Sequence, residues 1–301
     1  SADRLYLAGV HVEQYRDPAV MPDAYWLEAL KRDPCHAPSL LGMARYSYTM
    51  LRFEAARGYA ERAIRELTRF NERTENGDAY YLYALILEQL DEPDLAYDYY
   101  YKAAWSGSAV PMAMARLACL DLRRGDWAEA AAHARQALER DAQHPLAPAA
   151  LVLACAALGQ AGEAQQAAAA ALDRDPFNLL VRYLSGMPEE QFFGGLSSSP
   201  SQAVLDLAAD LDAMGQRARI IALLEGLLRC RPEEGCATIL YTLAYYRGLE
   251  GGDCAGPLRR AEDAPLGQTY PFRPIEARAL RAAVEQGSAR APFLLGCLLY
   301  D

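Results

Sequence analysis

Apolar residues recur along most of the chain at helical spacing, and small residues among them follow a longer period. Four alanines mark this period, at separations of 40, 34 and 34 residues: Ala56, Ala96, Ala130 and Ala164. The tripeptide Arg-Asp-Pro stands at two expected helix ends, residues 32–34 and 174–176. A period near 34 is typical of arrays in which each repeat is one helical unit packed on its neighbours. The pattern therefore predicts an all-α chain of repeated helix pairs.

Each expected repeat contains a first helix, helix A, and a second, helix B, which approach closely only where side chains are small. One repeat shows this best, with Ala118 on helix A, Gly125 at the turn and Trp127 opening helix B. The other clear repeats carry alanines in the same phase, at positions 44, 56, 60 and 63, then 84, 96 and 103, then 164, 168 and 171. An unrelated alanine-rich bundle would not keep this phase through turn glycines and closing prolines.

These four consecutive matches resemble the tetratricopeptide repeat (TPR) family. The resemblance implies an all-α solenoid of helix-turn-helix units that winds as a right-handed superhelix. Weaker matches extend it to both ends. Residues 3–34 are expected to form a degenerate first repeat, and the segment past residue 200 a fifth and a sixth unit with turns at Gly215 and Gly251. About six to seven repeats are expected in total.

A segment rich in Gly, Ser and Pro, residues 186–200, interrupts the helical period. Such composition is typical of a loop, so we expect a linker between a regular block, 1–185, and a degenerate block, 201–301. Phe192 and Phe193 are expected to anchor this linker and make the two blocks continuous. The last segment, 294–301, has the phase of a helix A without its helix B. Together with the absent initiating Met, this indicates a fragment of a longer protein.

Composition narrows the possible functions. The net charge is −10 and the only lysines are Lys31 and Lys102, so the chain lacks the basic stripe expected of a nucleic-acid binder. No apolar run reaches the roughly 18–20 residues that cross a membrane. The seven cysteines show neither CxxC pairs nor zinc spacing, which favours reduced thiols in a cytoplasmic protein without metal or cofactor.

The four histidines lie in no catalytic signature. His36 and His144 precede expected helix A starts, where surface or capping roles are common. No phosphate-binding glycine motif is present either. The chain is therefore expected to be non-catalytic.

In the TPR family, helices A line a concave groove, so the resemblance implies binding residues at the helix A positions that face it. The residues singled out there are Arg45, Tyr48, Tyr81, Glu88, Arg123, Tyr241 and Tyr245. Tyrosine and arginine are enriched at binding hot spots, but Tyr81 and Tyr245 suit core packing equally well. The Lys and Asn of carboxylate-clamp TPR modules are replaced here by residues such as Leu41 and Leu85, which argues against binding of a chaperone tail.

A further aromatic cluster lies at the end of one expected helix B. It comprises Tyr97, Tyr99, Tyr100, Tyr101 and Trp105. Core packing is the favoured interpretation of the tyrosines, and a platform for stacking on sugars is the alternative. Trp105, at the helix end, is the residue expected to be exposed.

Several short phrases add a narrower resemblance. They are Gln14-Tyr15-Arg16, Glu28-Ala29-Leu30, Lys102-Ala103-Ala104-Trp105-Ser106, Tyr270-Pro271-Phe272-Arg273 and Leu298-Leu299-Tyr300-Asp301. These phrases are similar to the C-terminal repeat region of large bacterial proteins whose N-terminal β-rich domain, of unknown function, is itself similar to sugar-mutarotase folds. The resemblance implies that any carbohydrate-related activity belongs to that upstream domain. It assigns no catalytic residue to this chain.

Two functions follow from these features. The leading hypothesis is a TPR scaffold that binds a peptide, a partner protein or its own upstream domain through the helix A groove. The alternative is an accessory solenoid of a carbohydrate-active enzyme whose β domain lies outside this chain, so that sugar binding would require that domain. A third class, a regulatory sensor array, lacks a DNA-binding element here.

Overall fold

A computed structural model describes residues 1–15, 20–71, 73, 77–196, 199–266 and 270–300. These residues form eighteen α-helices, one short 3₁₀ turn and no strand. Arg16 and Asp301, named in the sequence analysis, lie outside them, as do positions 197 and 198 of the segment 186–200. The helices of the first half are α1 (Ala2–Tyr15), α2 (Pro22–Arg32), α3 (Ala37–Thr49), α4 (Phe53–Leu67), α5 (Asp78–Gln89), α6 (Pro93–Ala103), α7 (Val110–Arg124), α8 (Trp127–Arg140) and α9 (Ala147–Ala157). Those of the second half are α10 (Ala161–Arg174), α11 (Leu179–Leu184), α12 (Glu189–Gly194), α13 (Pro200–Ala213), α14 (Arg217–Cys230), α15 (Ala237–Leu249), α16 (Ala255–Asp263), α17 (Pro274–Glu285) and α18 (Ala291–Leu299).

The chain comprises two compact units, Ser1–Leu117 (unit 1) and Ala118–Asp301 (unit 2). In unit 1 the helices pack as the pairs α1/α2, α3/α4 and α5/α6, and in unit 2 as α9/α10, α13/α14, α15/α16 and α17/α18. First helices also pack on the first helix of the next pair, α1 on α3, α3 on α5 and α15 on α17. This is the helix A and helix B arrangement that the repeat period predicts. The all-α repeat prediction is therefore confirmed.

Seven turns from helix A to helix B share one backbone design. Each contains one residue with a positive φ, and these residues are Leu51, Asp91, Gly125, Gly159, Gly215, Gly251 and Gly287. The next amide then donates to a carbonyl near the helix end, as from Gln160 N to Cys155 O at 2.9 Å. This six-to-one hydrogen bond satisfies a carbonyl that the helix end would leave without a partner. The predicted turn glycines are confirmed.

The turn from helix B back to helix A is also repeated, and it explains the recurring Asp. The Oδ1 atoms of Asp33, Asp141 and Asp175 each accept a hydrogen bond, at 2.9–3.0 Å, from the amide two residues later. The residue three positions after each Asp has a side chain that accepts a hydrogen bond from a backbone amide in the first turn of the next helix. Because one side chain fixes the turn and another caps the helix, the chain reverses direction within four residues.

The accepting residues are His36, His144 and Asn178. The Nδ1 atom of His36 accepts from Ser39 N at 3.3 Å, and that of His144 from Ala147 N at 3.2 Å. Asn178 Oδ1 accepts from Val181 N at 3.0 Å. The capping role considered for His36 is therefore confirmed, whereas His144 lies two residues before the N-cap of α9, Leu146, and accepts from the amides of Leu146 and Ala147.

Trp26 joins the first three helices of unit 1. Its side chain is fully buried, and its Nε1–H donates to Tyr6 O at 3.3 Å. The ring lies between the backbones of α1 and α3, at Gly9 and Gly42. A Cβ atom at Gly9 would lie 2.4 Å from Nε1 of Trp26, and one at Gly42 would lie 2.8 Å from Cδ2. Only glycine therefore fits on either side of the indole.

The segment predicted as a linker, 186–200, contains the helix α12. Phe192 and Phe193 on this helix are buried. The ring centroids of Phe192 and Tyr183 lie 5.5 Å apart. The Phe193 ring lies where a side chain at Gly226 of α14 would stand. Both phenylalanines thus anchor the segment within unit 2, as expected. The partition at 186–200 stays a prediction.

The assignment of the last segment to a lone helix A is wrong. α18 packs as the second helix of a pair with α17, and Leu294 is buried beside Leu280 and Ala283 of that helix. Sequence analysis missed α17, which begins at Pro274 after a long connection. The turn residue Gly287 follows Gly251 by about one repeat length, and this spacing was the available signal for a further helix pair. Among the described residues, no helix is long and apolar enough to cross a membrane.

The first prediction tests the turn backbone. Gly159 has a φ of +74° and open space where a Cβ would stand, whereas Gly162 lies inside α10 with equally open surroundings. Gly159→Ala should lower the free energy of unfolding by about 1 kcal/mol because alanine is strained at positive φ. Gly162→Ala, in the first turn of α10, should raise it slightly, since alanine loses less backbone freedom on folding than glycine. Urea unfolding would measure both, and equal effects would contradict the turn argument.

The second prediction concerns the Trp26 contact. Gly42→Ala forces a methyl group into the indole ring and should cost about 1–3 kcal/mol of unfolding free energy. Gly58→Ala is the matched control, because Gly58 lies on α4 with open space around it and should gain from helix propensity. Thermal unfolding of both variants would check the contrast. A neutral Gly42→Ala variant would show that the ring moves freely.

The third prediction concerns His144, which accepts hydrogen bonds at the start of α9. Burial lowers the pKa of the His144 imidazole below the ordinary histidine value. Below about pH 6.5 the unfolded chain then binds a proton that the folded chain does not, so this contribution to stability is present above about pH 6.5 and is lost as the pH falls further. His144→Asn keeps an acceptor, as at Asn178, without titrating. The variant should show a flatter stability profile between pH 5 and 7, and an unchanged profile would count against the histidine.

Candidate functional site

One cleft of unit 1 collects side chains from several helices A, and we call it the helix A cleft. Its volume is about 580 Å³, within the range of about 300–1,000 Å³ common for ligand sites. Its lining residues are Tyr6 of α1, Pro38, Leu41, Arg45 and Tyr48 of α3, Leu67 of α4, Asp78, Tyr81, Leu82 and Leu85 of α5, and Met112 of α7. Three predicted binding residues, Arg45, Tyr48 and Tyr81, therefore line one cavity.

Helical spacing explains why these residues meet. Leu41, Arg45 and Tyr48 follow one another by four and three residues on α3, which places them on one face of the helix. Tyr81 and Leu85 share a face of α5 in the same way. The opposite faces of both helices carry small residues that pack against the helices B. The larger side chains on the first face do not take part in this packing, and they line the cleft.

Arg45 forms an ion pair at the edge of the cleft. Its Nη2 and Nε donate to the two carboxylate oxygens of Glu13 on α1, at 2.7 and 3.2 Å. The guanidinium carbon also lies 5.9 Å from the Trp26 ring centroid. The Arg45 and Glu13 side chains are 47 % and 34 % exposed, and ion pairs that water reaches contribute only about 0–1 kcal/mol. Arg45 can therefore exchange Glu13 for an acidic group of a ligand at small cost.

Tyr48 supplies a neutral hydroxyl to the cleft. Its ring packs edge-on against Phe53, with centroids 5.7 Å apart. Burial raises the pKa of Tyr48, and this outweighs the opposing effect of the Arg116 guanidinium; the Glu88 carboxylate adds a smaller effect in the same direction as burial. The phenol therefore keeps its proton at all ordinary pH values. Such a group can donate a hydrogen bond to a peptide carbonyl or a carboxylate.

Glu88 was expected in the groove, but its side chain is only 3 % exposed. Arg116 on α7 donates Nη2 to Glu88 Oε2 at 2.6 Å and Nε to Oε1 at 3.0 Å. The hydroxyl of buried Tyr100 donates to the same carboxylate. This buried pair links α5, α6 and α7, and removing one partner would leave a charge without compensation. Glu88 is thus a structural residue here.

The other predicted residues lie in unit 2 and do not line the helix A cleft. Arg123 is exposed on α7, beside the turn at Gly215. Tyr245 is half-buried, and its ring centroid lies 5.2 Å from the ring centroid of Tyr246.

Tyr241 is 1 % exposed, which corrects the expectation that it faces a groove. Its hydroxyl donates to Glu262 at 2.9 Å and lies 3.0 Å from Ser288 Oγ. Both partners are side chains at or beyond the end of the next helices, α16 and α17. Tyr241 therefore connects the last two helix pairs and is not exposed to a ligand.

Some lining residues escaped the sequence analysis. Tyr6 belongs to the degenerate first repeat, where the phase was too weak to project. Leu67 is the last residue of a helix B, a class that the groove projection leaves out. Leu82 directly follows Tyr81, and its apolar character was the only available signal.

The aromatic cluster of α6 divides between core and surface. Tyr100 is fully buried, and the Tyr99 ring lies 4.6 Å from that of Tyr83. The burial of Tyr100 and the ring contact of Tyr99 match the interpretation that these tyrosines pack in the core. Tyr101 and Trp105 keep exposed faces, Trp105 at 46 % exposure with its ring edge against Tyr80.

Titratable groups elsewhere form structural pairs. Nδ1 of His133 lies 2.7 Å from Oδ2 of Asp121, and both residues are buried. The seven cysteines are free thiols, and Cys119 and Cys155 are among the buried ones. Within the described ranges, no group of three His, Cys, Asp or Glu side chains is placed to hold a metal ion.

Several solved structures share this architecture, although no protein-family profile matches the chain. A tetratricopeptide repeat protein from Parabacteroides merdae is 13 % identical, with a TM-score of 0.53 over 99 % of this chain and 98 % of that one. PilF of Pseudomonas aeruginosa is 15 % identical, with a TM-score of 0.52 over 77 % and 92 %. PilW, a type IV pilus biogenesis factor, is 16 % identical, with a TM-score of 0.51 over 77 % and 94 %. The chain therefore has the TPR helical-repeat fold.

Proposed function

We propose that this chain is a non-catalytic TPR scaffold that binds a peptide segment of a partner protein in the helix A cleft. The observation that carries the proposal is the convergence of Arg45, Tyr48 and Tyr81 on one cavity that also has an apolar lining. Four helices A contribute to this cavity, so the site depends on the stacking of repeats. Such a surface is suited to a ligand longer than one residue.

The lining divides into an apolar part and a polar part. Leu41, Leu82, Leu85 and Met112 form the apolar part and can accommodate one large apolar side chain. Burying such a side chain contributes about 1.5–3 kcal/mol. A single anchor of this kind is the usual centre of a binding hot spot.

The polar part orients the ligand. Arg45 on α3 and Asp78 at the start of α5 carry opposite charges on different helices. An acidic group of the ligand would meet Arg45, and a basic group would meet Asp78. Tyr48 adds a hydrogen-bond donor for the ligand backbone. Charges placed in this way give direction and specificity more than affinity.

The narrower resemblance supplies a second candidate, an accessory role beside a carbohydrate-active β domain. The exposed ring of Trp105 is the feature that favours it, because aromatic faces stack on sugars. Trp105 does not line the helix A cleft. A Trp105→Ala variant in the full-length protein would thus weaken sugar binding under this candidate and leave peptide binding unchanged.

The fourth prediction tests the cleft. Peptides selected on the purified chain from a random phage library should share one large apolar or aromatic residue. Met112→Glu places a charge in the apolar part and should weaken a selected peptide at least about tenfold, since burying an unpaired charge is costly. Fluorescence anisotropy with the labelled peptide would measure the dissociation constant.

Leu95→Glu is the matched control. Leu95 on α6 is 36 % exposed and Met112 is 41 % exposed, but only Met112 lines the cleft. The control should bind the peptide as the natural chain does. A library that yields no binding peptide, or equal losses in the two variants, would reject the helix A cleft as the binding site.

A further inference from the structure

A second cleft lies in unit 2, and we call it the arginine cleft. It has a volume of about 350 Å³ and is lined by Glu225, Leu228 and Arg229 of α14, Leu243 and Arg247 of α15, and Gly256, Pro257 and Arg260 of α16. Two of these three helices are helices B, so the cleft is distinct from a groove between helices A. It shares no residue with the helix A cleft.

The charges of the lining are unusual for this chain. Three guanidinium groups face one carboxylate, which gives the lining a net charge of two positives, while the whole chain carries −10. The carboxylate, Glu225, orients Arg247 by accepting from its Nε at 3.0 Å and its Nη2 at 2.7 Å. Arg229 Nη1 lies 4.0 Å from the other oxygen of Glu225. Glu225 therefore orients Arg247, whereas the close partner of Arg229 is Glu189, which does not line the cleft.

Two of the arginines are available to a ligand. Arg229 pairs with Glu189 at 2.7 Å, but both side chains are at least half exposed, and such pairs contribute only about 0–1 kcal/mol. Arg260 is exposed, and within the described part of the chain its guanidinium makes no ion pair or hydrogen bond. Oδ1 of the nearby Asp253 accepts from the amides of Ala255 and Gly256, at 3.0 and 3.3 Å.

The remaining lining is apolar. Leu228, Leu243 and Pro257 come from three different helices and lie beside the guanidinium groups. A ligand that fills the cleft therefore needs an anionic end and an apolar body. The volume, near the lower end of the usual range for ligand sites, fits a small molecule or a single side chain.

We propose that the arginine cleft binds a phosphomonoester with an apolar body. At pH 7 a phosphomonoester carries about −1.5 to −2 charges, which matches the net two positive charges of the lining. Guanidinium groups present paired donors that fit phosphate oxygens, and these charge-assisted hydrogen bonds are among the strongest in proteins. A single carboxylate would neutralise only half of this charge. This site is independent of the proposed peptide cleft.

The fifth prediction uses phenyl phosphate as the probe. Isothermal titration calorimetry on the whole chain should show saturable binding at pH 7.5 that weakens with added salt, since the interaction is between charges. Arg260→Ala should weaken it about tenfold or more, because hydrogen bonds to charged groups are among the stronger ones. Arg259→Ala removes the same charge from the neighbouring position of α16, outside the cleft, and should change the affinity less than about twofold.

Three further ligands test the chemistry. Inorganic phosphate, which lacks the apolar body, and benzoate, which carries a single charge, should each bind more weakly than phenyl phosphate. A peptide containing phosphoserine separates two sources of the same group. Tighter binding of the peptide would assign the site to phosphorylated partners, and tighter binding of phenyl phosphate would assign it to small molecules.

The proposal fails if phenyl phosphate does not bind, if benzoate binds equally well, or if Arg259→Ala weakens binding as much as Arg260→Ala. Met112→Glu should leave phenyl phosphate binding unchanged, because it alters only the helix A cleft. Loss of peptide binding and loss of phosphate binding can therefore be told apart.

Discussion

The close approach of helix A to helix B within each pair is the constraint on which the other features depend. Two helix backbones can come close only where side chains are small, and the chain meets this with alanines such as Ala56, Ala96 and Ala130, all fully buried. The positive-φ turn then reverses the chain within a few residues. These two local features repeat, so the helices A face one side of each pair and the helices B the other. Both clefts are consequences of this separation.

Much of the fold could be predicted because its determinants are local. Gly125 and Gly159 adopt the positive φ that turn glycines are expected to adopt, and the alanine phase marks the helix contacts. Leu51 and Asp91 occupy the same turn position without being glycine, so composition gave no indication of them. The pair α17/α18 was missed because α17 begins only at Pro274, well after the end of α16 at Asp263, although the turn glycine Gly287 keeps the repeat spacing.

The candidate site was predictable only in part. Projection onto a helix gives the direction of a side chain, and this was enough to bring Arg45 and Tyr81 into one cleft. It cannot show which neighbour a side chain meets. Glu88 is buried because its carboxylate pairs with Arg116, which lies 28 residues further along the chain. Long-range partners of this kind leave no signal in the spacing of a single sequence.

The packing of Trp26 between two glycines has a consequence for sequence variation. Gly9, Trp26 and Gly42 lie on three successive helices, and each contact leaves no space for one more carbon atom. A change at one of the three positions therefore alters which residues are permitted at the other two. In related chains a smaller residue at position 26 should accompany larger residues at positions 9 and 42. These three positions should thus vary together as one unit, although they are far apart in the sequence.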